Sequence, residues 1–331
     1  MSGLFCVLTM CKKYDKIYLI ICMKGKTMDA IVGYTGFVGT NLCLKHEFDC
    51  KYNSKNISEA FGLKPELLVY AGVRSEKFLA NNDPEADMAN IRTAFENIKK
   101  IAPKKLVHIS TVDVYKLPVS VSENSQIVTE GLGAYGYDRY VLEQLLREEF
   151  PDCHIIRLPG LYGEGLKKNF IYDLINLIPS MLNAQKYNEL KCETVDKYYS
   201  LQGNGFYKCR ALNDDEKKEL RSFFEEKGFT ALNFTDSRST FQFYNLAYLW
   251  EHIGVVIKND LKLVNISTAP VSAAEIYRSV KGEDFKNEMP KAPAEYDYYT
   301  EYAHFFGGKD GYIFDADFVK EDIKSYIQKR I

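Results

Sequence analysis

The stretch Gly33-Tyr34-Thr35-Gly36-Phe37-Val38-Gly39 follows the apolar run Ala30-Ile31-Val32 and opens an amphipathic segment at Thr40-Asn41-Leu42. Glycines at three-residue intervals between a strand and a helix suit a dinucleotide pyrophosphate. A tight strand-to-helix turn needs backbone conformations that glycine adopts cheaply, and missing side chains let phosphate oxygens reach the first helical amides. The helix dipole adds to that attraction. The candidate cofactor loop is therefore Gly33, Thr35, Gly36, Phe37, Val38 and Gly39. No Gly-Lys-Ser/Thr closes it, which excludes a P-loop phosphotransferase.

Outward from this loop, short apolar runs alternate with helix-length amphipathic segments. Asp29 to Gly33, Glu66 to Val73 and Lys105 to Thr111 read as buried parallel strands, and Pro84 to Ile101 and Tyr135 to Phe150 as helices. This alternation predicts a Rossmann-type doubly wound parallel α/β sheet with its ligand at the carboxyl ends of the strands. After Ile155-Ile156-Arg157-Leu158-Pro159 the regularity breaks, and a smaller C-terminal α+β lobe is expected. A charged helix is expected at Asp214 to Lys227, Phe241 to Ile257 reads as apolar and helix-like, and Leu261 to Ile266 reads as a strand that rejoins the main sheet. The division is 28–163 for the nucleotide-binding domain, rejoined by about 238–268, with 164–237 and 269–331 as the substrate lobe. Residues 1–27 read as a dispensable leader, with a short extra strand as the alternative; their apolar run, Ile17 to Met23, is too short to span a bilayer.

A chain of 331 residues buries an ample core without a metal or disulfide staple. Its net charge of -2 offers no basic field for nucleic acid. The eight cysteines form no CxxC pair and the five histidines no ligand spacing, so no metal is expected, and reduced thiols point to the cytosol.

The chemistry-bearing types gather after the third run. Ser110-Thr111-Val112-Asp113 ends that strand, and Tyr135 and Arg139 stand four residues apart at the start of the following helix. A phenol with a pKa of about 10 is a poor base at neutral pH, and bringing it down by about 3 pH units takes about 4 kcal/mol. A cation one helical turn away supplies part of that.

These residues resemble the extended short-chain dehydrogenase/reductase family of sugar-nucleotide epimerases, dehydratases and reductases, marked by GxxGxxG, a Ser/Thr at this strand end and YxxxK. The resemblance covers the chain from about Met28 onward. It implies that Thr111 hydrogen-bonds the reacting oxygen, that Tyr135 is the acid/base, and that position 139 holds the nicotinamide ribose and lowers the tyrosine pKa. Arg139 departs from the family's lysine, and a planar guanidinium is not an equivalent point charge. Dehydratases of the family carry two acids after the Thr, whereas this chain has Val112 and then Asp113, so epimerisation or ketone reduction fits better than dehydration. Gly72, Val73 and Pro159 would flank the cofactor. Asn53 and Ser54, after the second strand, occupy the cofactor-selecting position. With no acid there, the cofactor is NAD or NADP with a lean toward NADP. Lys168 and Asn169 match positions that contact substrate, and Arg238 the arginine that binds the sugar-nucleotide diphosphate. The family's dimers imply a homodimer through the two helices named above. The departures keep a second reading open, a non-catalytic dinucleotide-binding or sensor protein of the same fold.

Overall fold

The structure is a computed structural model and describes residues 28–330. The reading of 1–27 as a leader or extra strand lies outside the described residues. Six short parallel strands form the central sheet: β1 (Asp29–Val32), β2 (Cys50–Tyr52), β3 (Leu67–Tyr70), β4 (Lys105–Thr111), β5 (His154–Leu158) and β6 (Leu263–Asn265). Their order across the sheet is β6-β5-β4-β3-β1-β2. The inner strands β1, β3, β4 and β5 are buried almost throughout because both faces are covered. One layer is built on Ile31, Val69, Val107, Ile156 and Ile253. The other seats Ile91, Ile98, Leu142 and Leu146 of the helices Pro84–Ile101 and Ala134–Glu149 against Ala30, Leu68 and Leu106.

From β1 the chain first moves outward to β2, then returns to place β3 on the other side of β1. That reversal is the crevice where doubly wound sheets bind ligands. Gly33 stands at its mouth with φ +93°. Its amide donates to the Tyr52 carbonyl at 2.7 Å, and the Ala71 amide donates to the Val32 carbonyl at 2.9 Å, which draws the ends of β1, β2 and β3 together. The helix Phe37–Lys45 then leaves so close to the turn that a Cβ on Gly39 would lie 2.1 Å from the Gly33 carbonyl oxygen.

A smaller α+β lobe follows β5. It holds a parallel pair (Gly160–Tyr162 with Phe243–Asn245), an antiparallel pair (Thr240–Phe241 with Val271–Ser272) and a three-stranded antiparallel sheet. Two cores of its own support it, one around Phe170, Ile276 and Ile323 and another around Leu182, Tyr198 and Phe224. The expected helix Asp214 to Lys227 runs Asp214–Glu226 behind an Asn213–Glu216 capping box.

The expectation of one helix-like segment over Phe241 to Ile257 is corrected. Only Leu249–Lys258 is α-helical, and Phe243–Asn245 is a strand. Phe243 packs into the lobe core and its neighbour Tyr244 into the sheet core, a period of two that only a strand provides. Asn245 then accepts the Ala247 amide at 3.0 Å and starts the turn into the helix.

Gly39→Ala puts a methyl against backbone that cannot retreat without opening the turn. The expected loss is about 1–3 kcal/mol of stability, read by urea denaturation, against little change for Gly254→Ala, where an added Cβ meets open space.

Candidate active site

Thr111 closes β4, and its Oγ1 accepts the Asp113 amide at 3.2 Å, turning the chain into a single 3₁₀ turn, Val112–Val114. The helix Ala134–Glu149 docks on that turn. A Cβ on Gly136 would lie 2.0 Å from the Asp113 carbonyl oxygen, so glycine at 136 lets the helix approach closely enough for its neighbour Tyr135 to reach Thr111. The Thr111 hydroxyl lies close enough to the Tyr135 phenol to favour its ionised form. Gly133 provides no side-chain cap; instead Asn81, from the short helix Lys77–Asn82, accepts the Tyr135 amide at 3.0 Å.

Burial pushes the Tyr135 phenol upward. Arg139 pulls it down, Asp113 pushes it up, and Lys77 and the Thr111 hydroxyl pull it down again, but the net direction is up. The lowering expected of Arg139 is therefore outweighed by desolvation.

Arg139 is turned into the interior. It is 3% exposed. Its guanidinium grips both carboxylate oxygens of Asp87, donates to the Arg74 carbonyl at 2.5 Å and to the Tyr135 carbonyl at 3.2 Å, and lies 4.0 Å from the centroid of the Tyr135 ring. The guanidinium fork was drawn inward by the buried carboxylate. Position 139, expected to hold a ribose, is thus engaged within the fold. Beside this pair, Asp138 is buried and its carboxyl is pushed up to about 7, by desolvation first and by the hydrogen bond and charge of Asp87 next. His108, fully buried and held down to about 3 by burial and then by Arg139, stays neutral.

A cation beside the Val112–Val114 turn that the sequence motifs missed is Lys77. Its Nζ is 2.8 Å from Asp113 Oδ1, with the side chain 54% exposed. Burial lowers its pKa, but Asp113, Tyr296 and Tyr135 outweigh that and carry it up. Tyr296, from the C-terminal lobe, lies near enough for Asp113 to add to the burial that raises its phenol. The signal that could have found Lys77 is its place a few residues beyond the end of β3, at the mouth of the crevice.

The remaining candidates fall into two groups. At the ends of β1, β3 and β5, Thr35, Gly36 and Gly72 are exposed, and Phe37, Val38, Val73 and Pro159 are half-buried. Lys168 donates to the Ser75 carbonyl at 3.2 Å and so joins the lobe to the same loop. Ser54 is exposed beyond β2, and Asn53 Oδ1 accepts the Lys55 amide at 2.9 Å. The others are engaged in the fold. Asn169 caps the helix Phe170–Asn176 by accepting the Tyr172 amide and donates to the Leu161 carbonyl. Arg238 is held by Asp236 at 2.7–2.9 Å, and by Glu288 at 3.2 Å.

Behind the site, Arg157 of β5 forms a buried pair with Glu143, which also accepts from Ser110; Arg157 reaches Tyr115, which meets Asn265 of β6. Removing one member of such a pair strands the other charge, at about 3–5 kcal/mol. The glycine turn fits an anion: Gly36 offers no side-chain cap to the helix it starts, so the first-turn amides remain for a ligand, and a Cβ at 33 or 39 would collide with the backbone that shapes the turn.

The chain is similar to the dTDP-4-dehydrorhamnose reductase of Bacillus anthracis str. Ames in complex with NADP, with a TM-score of 0.58 at 15% identity over 92% of this chain and 100% of that one. It is similar to the dTDP-4-dehydrorhamnose reductase of Yersinia enterocolitica, with a TM-score of 0.61 at 13% identity over 92% and 100% of the two chains. This chain shares their fold. A UDP-glucuronic acid 4-epimerase from Bacillus cereus, a mutant in complex with a fluorinated UDP-sugar and NAD, superposes with a TM-score of 0.56 at 14% identity over 91% and 99%. No protein-family model matches the chain, and no curated protein does.

The raised carboxyl of Asp138 gives a pH signature. Its folded pKa lies above the unfolded value, so its contribution is full below about pH 4 and is lost as pH rises toward about 7. Asp138→Asn is expected to flatten that slope and to raise the melting temperature at pH 8 relative to the parent, measured by calorimetry from pH 4 to 8.

Proposed function

We propose that this chain is a cytosolic NAD(P)-dependent enzyme of the extended short-chain dehydrogenase/reductase type, acting on a nucleotide-activated sugar as a reductase or epimerase. The observation that carries the reading is that Gly136 seats the helix start bearing Tyr135 on the turn that follows Thr111 at the end of β4, in a sheet whose strand order reverses at the glycine turn. Gly33, Thr35, Gly36, Phe37, Val38 and Gly39 would hold the pyrophosphate, with Gly72, Val73 and Pro159 flanking the cofactor. Asn53 and Ser54 would meet the adenine ribose; the absence of an acid there, with Lys51 and Lys55 exposed nearby, supports the lean to NADP. When bound, the cofactor supplies or takes up hydride.

Thr111 would donate to the sugar oxygen and polarise it, and Tyr135 would exchange a proton with the same oxygen. A phenol kept protonated by burial is ready as an acid, which favours the reductive direction. Asp113 is tied to Lys77 and lies near Tyr296, and Val112 stands where dehydratases carry an acid, so dehydration remains the less favoured reaction. Lys168 would meet the nucleotide-sugar across the cleft; Asn169 and Arg238 would do so only by giving up their present partners. A homodimer through the helices Pro84–Ile101 and Ala134–Glu149 belongs to the same reading. Among the described residues no helix is long and apolar enough to cross a membrane.

The enclosure of Arg139 favours one rival, a dinucleotide-binding protein without turnover. Two measurements separate the readings. Tyr135→Phe is expected to cut turnover of a keto-sugar nucleotide by about 10²–10⁴-fold while leaving NADPH binding, read by nucleotide fluorescence, unchanged. NADPH binding without turnover of any sugar nucleotide would establish the rival, and failure to bind either dinucleotide would end both.

A further inference from the structure

The family pattern pairs the active-site phenol with a cation one helical turn away, yet here that position is turned into the interior. Four contacts hold Arg139, and one of them, to the Arg74 carbonyl, fixes the loop that follows β3. Three residues further along that loop stands Lys77, whose ammonium is bound to Asp113 within two residues of Thr111. We propose that Lys77 is a second active-site cation of this protein, a positioning residue that acts on Tyr135 from the start of the helix Lys77–Asn82, with Asp113 as its tether and Arg139 as the clamp that fixes the loop leading to it. The proposal rests on the function proposed above and deepens it.

The charged and titratable groups around Tyr135 are few and come from every element packed there. Arg139 and Asp138 share its helix, with Asp87 behind them; His108 and Asp113 come from β4 and its turn; Lys77 comes from the helix Lys77–Asn82; Tyr296 comes from the C-terminal lobe. Arg139 acts on the phenol more strongly than Lys77 but is locked onto Asp87, and His108 is uncharged. This leaves Lys77 as the cation whose partner can change. With Asp113 ionised and bound, the ammonium is shared; when a ligand hydroxyl or phosphate displaces that carboxylate, Lys77 is free to face the phenol. Its exposure permits this movement, whereas that of Arg139 does not.

The test is the ionisation of Tyr135 in the cofactor-free protein, followed by NMR of tyrosine labelled with ¹³C at Cζ, the signal being assigned by its loss in Tyr135→Phe. Lys77→Met is expected to move the transition upward by about one pH unit, and Lys77→Arg to hold it near the parent value. If the parent ionises above the range where it stays folded, the comparison is made in Asp113→Asn, where loss of the carboxylate brings the phenol down. A transition unmoved by Lys77→Met in that background overturns the proposal. Lys77 is exposed, so the substitution leaves the core intact. NADPH binding measured on the same samples reports separately on the proposed function: its absence defeats that reading, while the titration still decides on Lys77.

Discussion

The backbone of the helix Phe37–Lys45 meets the backbone of the Gly33 turn with no room for a side chain between them, and most of the site depends on that contact. A Cβ on Gly39 would come within 2.1 Å of the Gly33 carbonyl oxygen, and one on Gly33 within 2.4 Å of the Ala71 carbonyl oxygen. The first turn of the helix is therefore held against the mouth of the crevice between β1 and β3. Asn41 extends the same contact to the lobe, donating to the Phe37 and Glu164 carbonyls and accepting the Glu164 amide at 2.8–2.9 Å.

A second close approach, Gly136 over the Asp113 carbonyl, seats Tyr135 at the end of β4. It brings a phenol to a strand-end hydroxyl, and the charges arranged behind keep both in register. One buried pair, Arg157 with Glu143, ties β5 to the helix Ala134–Glu149 and through Tyr115 and Asn265 to β6. Another, Arg139 with Asp87, ties that helix to Pro84–Ile101 and to the loop after β3. Buried pairs of this kind are weak evidence for net stability, because desolvation opposes them, but breaking one is costly. Their consequence here is positional: the two helices, three strands and one loop that carry the site cannot drift independently.

The same arithmetic explains why a guanidinium at position 139 behaves unlike a lysine. It is planar, always charged and able to bind a carboxylate through two nitrogens, so a buried aspartate within reach captures it. The captured pair acts on Tyr135 through ring contact and a carbonyl hydrogen bond, and desolvation of the phenol then outweighs the cation. Asp87, on a different helix, decides this outcome.

Local pattern in the sequence determined the glycine turn, the run from Lys105 to Thr111, the helices at 84–101 and near 135–150, and hence the doubly wound sheet, because strand burial and helix periodicity are written in consecutive residues. It also picked out Thr111 and Tyr135, whose types are specific at a strand end and a helix start. It misread 241–245, where aromatic residues fit a helix or a strand equally well until their two cores are known. Only the tertiary structure decided that Arg139 turns inward to Asp87, that Asn169 and Arg238 are held by local partners, and that Lys77 meets Asp113. Those outcomes depend on which charges lie within a few ångströms after folding, and electrostatic partners 36 or 52 residues apart leave no periodic trace in the chain.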